Sequence, residues 1–302
     1  MPIAVAAPPQ AVPLRGGFDY VTVDTARRRV YAAHGANQSL LVVDADSGKV
    51  LGQVRVGPMA GLAVDPESGH VFTGNGTDRS VSEVDPVTLK SLRSVDTAGA
   101  IDAIAYDSDL HRIYADEDNG TRIFVIDSKT FKEIGVIDLP GHKPEYLAIN
   151  PKTHEVYQNI ATMSEVVVID PTTLKVSRTI ATPEVTNNHP LQYDPIFDQL
   201  LVGGSNGVIS VYSSAGTKLY TSAVPTRIDQ CDLDAEHHML ACAGSGKITL
   251  LKNDGKSAPQ MVGQIDVARG MHTLAIDPRT GAIFVVWGAD NGDFVQKFVY
   301  TP

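Results

Sequence analysis

A repeat with a period of 40 to 44 residues runs along the chain and constrains its fold more than any other feature. Each repeat has an Asp or Asn at a predicted turn, and we call these residues the anchors. The seven anchors are Asp24, Asp65, Asp107, Asn150, Asp194, Asp234 and Asp277. A period of about 40–45 residues is that of one four-stranded propeller blade. The spacing therefore predicts seven blades.

The residues around the anchors indicate strands. In the fourth repeat, residues 146–149 read Tyr-Leu-Ala-Ile before Asn150-Pro151, and residues 166–169 read Val-Val-Val-Ile before Asp170-Pro171. Short β-branched runs bounded by Gly, Asp, Asn and Pro are typical of strands and turns, and no long 3.6-residue periodicity competes with them. We therefore predict an all-β fold, a seven-bladed β-propeller formed by residues 1–302 as a single domain.

The two ends of the chain are predicted to share the last blade. After Asp277 the C-terminal repeat supplies residues 282–286 and 293–300 and then lacks one strand, while Ile3 to Val12 precede the first full repeat without a partner. We expect residues 1–16 to provide the strand that closes the last blade and the lead-in to the first, because closure leaves no open seam.

These patterns resemble those of the YVTN-type seven-bladed propellers, also called surface-layer or YncE-like repeats. The resemblance rests on the Val-Tyr pair at 156–157 and on the Val-x-Val-Ile-Asp-Pro-x-Thr pattern at 166–173, and it spans about residues 17–300. Repeats 5 and 6 depart from it, with Tyr212-Ser213 and Leu251-Lys252 in place of Ile-Asp. The resemblance implies the propeller fold but no particular activity, since propellers carry many functions.

Charge and hydropathy restrict the partners. Lys and Arg total 25 against 35 Asp and Glu, which argues against nucleic acid or an anionic membrane as a partner. No apolar run is long enough to insert into a membrane. The first residues lack the features of a signal peptide, but members of the resembled family are often exported, so we expect a periplasmic or extracellular location. We expect a monomer that binds a small molecule.

One position in the repeat carries ionisable residues. Five residues before the anchors stand Asp19, Ala60, Asp102, Glu145, His189, Asp229 and His272. We call the six ionisable members the channel ring, because a propeller brings equivalent positions together at one mouth of its central channel. Gathered acids and imidazoles cost electrostatic energy unless water or a cation relieves it. The channel ring is therefore predicted to bind a divalent metal ion.

The ligand types leave the identity of the metal open. Two imidazoles with a carboxylate (His189, Asp229 and His272) suit Zn, Fe, Mn or Cu. The additional carboxylates Asp19, Asp102 and Glu145 would equally suit Ca or Mg with water.

Side chains ten residues after the anchors are predicted to oppose the channel ring across the first hairpin of each blade. His34 would oppose Asp19 and Glu117 would oppose Asp102, which makes His34 and Glu117 candidates for general base or acid. An organic substrate would lie against neighbouring polar and aromatic side chains. The predicted substrate-binding residues are Trp287, Tyr20, Tyr146, Asn75 and Arg227.

Three functions are compatible with these residues. One is a metal-dependent hydrolase or lyase, of the lactonase type, acting on a small cyclic or ester-like substrate. The second is a copper or iron redox enzyme, and the third is a non-catalytic exported binding or scaffold protein. A further interpretation needs no metal, because Lys143 and Arg227 lie next to the ring in sequence and could neutralise it.

The two cysteines allow two interpretations. Cys231 and Cys242 are predicted to face each other across adjacent strands, which would permit a disulfide. Equivalent positions in other repeats hold apolar residues such as Leu62 and Leu147, and this pattern favours two buried thiols that act as small hydrophobes.

Overall fold

The computed structural model describes residues 3–13 and 15–301, and every regular element in that part of the chain is a β-strand. The N-terminal segment contains two short strands, β1 (Ile3–Val5) and β2 (Gln10–Val12). The strands that follow form seven antiparallel sheets, which are the predicted blades.

Each of blades 1 to 3 has four strands that are adjacent in sequence. Blade 1 comprises β3 (Val21–Asp24), β4 (Arg29–His34), β5 (Ser39–Asp44) and β6 (Val50–Arg55). Blade 2 comprises β7 (Met59–Val64), β8 (Val71–Asn75), β9 (Ser80–Asp85) and β10 (Lys90–Asp96). Blade 3 comprises β11 (Ile101–Asp107), β12 (Arg112–Glu117), β13 (Arg122–Asp127) and β14 (Lys132–Asp138).

Blades 4 to 6 repeat this arrangement, and blade 7 takes only three strands from the C-terminal part of the chain. Blade 4 comprises β15 (Pro144–Ile149), β16 (Val156–Ile160), β17 (Glu165–Asp170) and β18 (Lys175–Ala181). Blade 5 comprises β19 (Asn188–Asp194), β20 (Gln199–Gly204), β21 (Val208–Ser213) and β22 (Lys218–Ala223). Blade 6 comprises β23 (Ile228–Asp234), β24 (Met239–Gly244), β25 (Lys247–Lys252) and β26 (Gln260–Asp266). Blade 7 comprises β27 (Thr273–Asp277), β28 (Ala282–Ala289) and β29 (Gly292–Tyr300).

The first strands of the blades surround the central channel. Each first strand contacts the first strand of the next blade, and β27 contacts β3 to complete the ring. Outer strands such as β10 are almost entirely exposed. The predicted all-β, seven-bladed propeller is confirmed.

The N-terminal strands close blade 7, as predicted. β1 and β2 both pair antiparallel with β29, with Ile3 opposite Tyr300 and Val12 opposite Asp293. The extended edge of β29 is therefore covered, which leaves no unpaired seam between the chain ends. Of the predicted closing segment, Met1, Pro2 and Leu14 lie outside the described residues.

The anchors hold the turns between the first and second strands. Asp24 Oδ1 accepts a hydrogen bond from Arg27 N (2.9 Å), and Asp194 Oδ1 accepts one from Ile196 N (2.9 Å). A carboxylate or amide oxygen that accepts from the backbone two or three residues later stabilises a turn. This requirement explains why every repeat has Asp or Asn there.

Apolar side chains of neighbouring blades pack together and form the core. Tyr31 and Tyr114 are fully buried in one cluster with Val125 and Ile169, from blades 1, 3 and 4. None of the described elements is a helix long and apolar enough to cross a membrane.

Cys231 and Cys242 are paired across β23 and β24 and form a disulfide, so the interpretation as free thiols was wrong. Their Cα atoms lie 4.0 Å apart because they occupy directly opposed positions. The apolar pattern could not distinguish the two states, because a buried sulfur is apolar whether it is free or bonded.

Candidate functional site

Four members of the channel ring form a chain of contacts across consecutive blades. His189 Nε2 lies 3.1 Å from Glu145 Oε2 and 3.2 Å from Asp229 Oδ1. His272 Nε2 lies 3.9 Å from Asp229 Oδ2. The structure therefore brings together ring members from blades 4, 5, 6 and 7, because each precedes its anchor by the same number of residues.

Part of the ring is neutralised by the protein itself. Lys143 Nζ lies 3.1 Å from Glu145 Oε1, as the interpretation without a metal expected. Arg227 does not take this role. It is exposed, and it lines a separate cavity with Arg269 and Gly270.

The other two ring members, Asp19 and Asp102, have no hydrogen bond or ion pair through their carboxylates within the described residues. Both line a cavity of about 350 Å³ that also contacts Met59, Ala60 and Asp118. This cavity, which we call the Ala60 notch, lies where blade 2 contributes a methyl group instead of an ionisable side chain. The small side chain of Ala60 leaves space between the two carboxylates.

Burial and mutual repulsion make this side of the ring electrostatically costly. The pKa of Asp19 is raised to about 6, first by burial and then by the charge of Asp229, while His272 acts in the opposite direction. The pKa of Asp102 is raised well above its ordinary value by burial and by the neighbouring Asp116. In both cases burial and acidic neighbours outweigh any nearby positive charge.

Asp116 belongs to this acidic group, and sequence reasoning missed it. It is fully buried on β12, where it accepts hydrogen bonds from Ala103 N (2.7 Å) and Gln158 Nε2 (3.0 Å). The available signal was an acid within the otherwise apolar run Ile-Tyr-Ala-Asp of this strand. Glu117 stands ten residues after the anchor Asp107, at the position shared with His34, whereas Asp116 stands one residue earlier.

Two tyrosines predicted to contact substrate, Tyr20 and Tyr146, directly follow the ring members Asp19 and Glu145 in sequence. The hydroxyl of Tyr20 is buried without a hydrogen-bond partner, and its pKa is raised well above the ordinary value by burial and by the charge of Asp102. Its ring centroid lies 5.8 Å from that of Tyr146. Gln192 Nε2 donates a hydrogen bond to the Tyr146 hydroxyl (2.9 Å). Both tyrosines therefore line the channel, and their contact with a substrate stays a prediction.

His34, predicted as a general base or acid, is held in a different network. It is fully buried, its Nε2 lies 2.5 Å from Asp293 Oδ2, and its ring stacks on Phe18 at 4.4 Å. Its Nδ1 lies 3.1 Å from the amide nitrogen of Asn37. Nε2 therefore joins blade 1 to blade 7, Nδ1 is engaged within blade 1, and neither nitrogen contacts the channel ring among the described residues.

Glu117 also lies away from the predicted position. It opposes Ile101 and not Asp102, because a β-bulge between Ile101 and Ile104 shifts the pairing. Its carboxylate binds Arg122 Nε (2.9 Å), which lowers its pKa. An extra residue in one strand displaces every later partner, so a uniform pairing rule fails at this hairpin.

Two further residues predicted to contact substrate, Trp287 and Asn75, are buried within their own blades. Trp287 is buried and stacks on Phe294 at 5.4 Å. Asn75 is buried and donates hydrogen bonds to Ser80 Oγ (3.0 Å) and Ser82 Oγ (2.9 Å) within blade 2. The structure places neither side chain against the channel ring.

The donor set does not form a ready-made transition-metal site. Among residues 3–13 and 15–301, no group of three or more His, Cys, Asp or Glu side chains could jointly hold a metal ion. His189 is already engaged by carboxylates on both sides. The unpaired Asp19 and Asp102 fit a different type of ion, a hard cation that keeps most of its waters and uses one or two carboxylates.

Comparisons with known proteins support the fold. A chain of Kuenenia stuttgartiensis hydrazine synthase is similar with a TM-score of 0.81 at 17% identity, over 96% of this chain and 98% of that chain. A chain of a mitotic checkpoint complex has a TM-score of 0.83 at 13% identity, over 99% and 92% of the two chains. No family model and no curated protein matches the sequence. The protein is thus a seven-bladed β-propeller, and at these identities the likeness extends to the fold alone.

Proposed function

We propose that the channel mouth binds a hydrated, hard divalent cation such as Mg²⁺, Ca²⁺ or Mn²⁺ in the Ala60 notch. The observation that carries this proposal is that Asp19 and Asp102 both line the cavity, and that neither carboxylate has a hydrogen bond or ion pair in the part of the chain that the structure describes. A divalent ion between them would offset their mutual repulsion and the cost of their burial. Its remaining positions would be filled by water, as is usual for Mg²⁺.

The test is calorimetric titration of chelator-treated protein with MgCl₂, CaCl₂ and MnCl₂, with metal content measured on untreated protein. We expect one ion per chain, and at least tenfold weaker binding after Asp19→Asn with Asp102→Asn. Asp96→Asn is the matched control, because Asp96 lies on the exposed outer strand β10. Failure of all three ions to bind, or equal binding by the double variant, would refute the proposal.

A metal-dependent hydrolase or lyase of the lactonase type remains the finer proposal, and it rests on the cation. The bound ion would supply polarisation of a substrate carbonyl. His272 is better placed than His34 or Glu117 to accept a proton. Its Nδ1 lies 2.8 Å from the carbonyl of Gly270, so Nδ1 carries the hydrogen in the neutral ring and Nε2 is left as the acceptor.

His272→Gln tests that role separately from cation binding. We expect the variant to bind the cation as the wild type does and to lose about 10²-fold or more in the hydrolysis of small lactones. Hydrolysis assays at saturating Mg²⁺ on wild type and variant decide the point. If the wild type turns over no lactone or ester, the hydrolase proposal is refuted and the cation-binding proposal stands.

A non-catalytic exported binding protein is the second candidate. It is favoured because His189 and Glu145 are held in ion pairs with each other and with Lys143. The Cys231–Cys242 disulfide supports the proposed periplasmic or extracellular location, since disulfides persist in oxidising compartments. Membership of the YVTN-type family is likewise proposed, on the Val-Tyr and Ile-Asp-Pro patterns.

A further inference from the structure

The central channel contains a second cavity. Its wall includes Tyr20 and Tyr146, which directly follow the ring members Asp19 and Glu145 in sequence. Its volume is about 270 Å³. Four of the seven residues that stand two positions before an anchor line this cavity. They are Thr22, Ala148, Gln192 and Asp232. We call this cavity the channel chamber. The alanines of its wall are Ala103 and Ala148, and their small side chains leave space that larger ones would fill.

Asp232 is the acid of the channel chamber. Its Oδ1 accepts a hydrogen bond from Leu233 N (2.9 Å) and its Oδ2 accepts one from Ile276 N (2.7 Å). No Lys, Arg or His of the described residues pairs with it, and burial raises its pKa to about 6. The backbone bonds fix the carboxylate in place, and each oxygen keeps a lone pair for another donor.

The rest of the lining is aromatic and aliphatic. Tyr20, Tyr146 and Tyr193 contribute to the wall together with Leu62 and Ile104. Gln192 uses its Nε2 for the Tyr146 hydroxyl and the Cys231 carbonyl, so its amide oxygen has no hydrogen bond within the described residues. Aromatic faces and one fixed carboxylate are the groups that recognise an organic ammonium.

We propose that the channel chamber binds a small organic ammonium, whose charged nitrogen pairs with Asp232 and whose apolar part lies among the tyrosines. A divalent metal ion suits this cavity less, because it needs several oxygen ligands and only one carboxylate lines the wall. The volume is just below the roughly 300 Å³ at which pockets for drug-sized ligands begin, so the ligand is small. This site differs from the Ala60 notch in its residues and in the class of its ligand.

Benzylammonium is a suitable probe, and benzyl alcohol is its neutral isostere. We expect calorimetry at pH 7.5 to show one benzylammonium site per chain and at least tenfold weaker binding of benzyl alcohol. Asp232→Asn should weaken benzylammonium at least tenfold and change benzyl alcohol less than twofold. Ala148→Leu, which fills the chamber but keeps the carboxylate, should weaken both ligands. Thermal melting of each variant verifies its fold.

Asp102→Asn separates the two sites, because it changes the Ala60 notch and leaves the channel chamber intact. It should alter benzylammonium affinity less than twofold, whatever its effect on Mg²⁺. The proposal is overturned if benzylammonium does not bind the wild type or binds Asp232→Asn equally well. It is also overturned if Asp102→Asn weakens benzylammonium as much as Asp232→Asn does, since the ligand would then lie at the mouth.

Discussion

At the scale of single residues, the partner of each carboxylate decides its role. Glu117 binds Arg122 and its pKa is lowered, whereas the carboxylate of Asp19 has no hydrogen bond or ion pair among the described residues and its pKa is raised to about 6. The two acids were grouped in one predicted site because the sequence shows residue type and spacing. It does not show which cation lies beside which acid.

The raised pKa of Asp19 predicts how stability depends on pH in chelator-treated protein. The folded state binds this proton more tightly than the unfolded chain, whose Asp has the ordinary value of 3.8. The contribution of Asp19 to the free energy of unfolding is therefore lost as pH rises through about 6. Asp19→Asn should raise Tm by about 2 °C or more at pH 7.5. The gain should be smaller at pH 4.5.

Thermal melts at the two pH values measure this effect, with Asp96→Asn as the control at an exposed position. The same gain at pH 7.5 and pH 4.5 would show that Asp19→Asn stabilises by packing and not by removal of a charge. In saturating Mg²⁺ at pH 7.5 the wild type should have a higher Tm than Asp19→Asn, because only the wild type retains both proposed carboxylate ligands.

At the scale of strands, the edge of β29 depends on the N-terminal segment. Val12 is 7% exposed and packs with Val295 and Phe18, whereas Val5 is 55% exposed on the same segment. Val12→Asp should therefore lower the free energy of unfolding by about 2–3 kcal/mol, because it places a charge in the apolar contact between blades.

Val5→Asp provides the comparison, since the same change at an exposed site should cost less than about 0.5 kcal/mol. Denaturant unfolding of both variants gives the two values. If Val12→Asp unfolds at the same denaturant concentration as Val5→Asp, closure by β2 contributes little to stability.

The strands also show what sequence could and could not provide. Spacing was enough to predict the blade count, the closing segment and the opposition of Cys231 and Cys242, because all repeats share one hairpin length. Spacing did not predict the partner of Glu117, because the β-bulge after Ile101 changes the register in that blade. A bulge depends on how a strand bends against its neighbours, and one sequence without structure does not reveal that bend.

At the scale of the whole molecule, the fold was predictable and the site only in part. Seven anchors specify seven blades, and the shared register placed Glu145, His189, Asp229 and His272 in one contact chain. The channel chamber was not foreseen, because a cavity is the absence of side chains at one level of the channel. It becomes visible only when residues of six blades, from Tyr20 to Asp232, are brought together in space.

The exception in blade 2 has a consequence for symmetry. A propeller with seven identical ring positions would offer a ligand seven equivalent orientations around its axis. Ala60 removes that equivalence, because it opens a cavity between Asp19 and Asp102 while the opposite arc is occupied by His189 and its two carboxylate neighbours. The methyl group of Ala60 thus makes the channel mouth asymmetric, so that a ligand which binds there has one defined orientation.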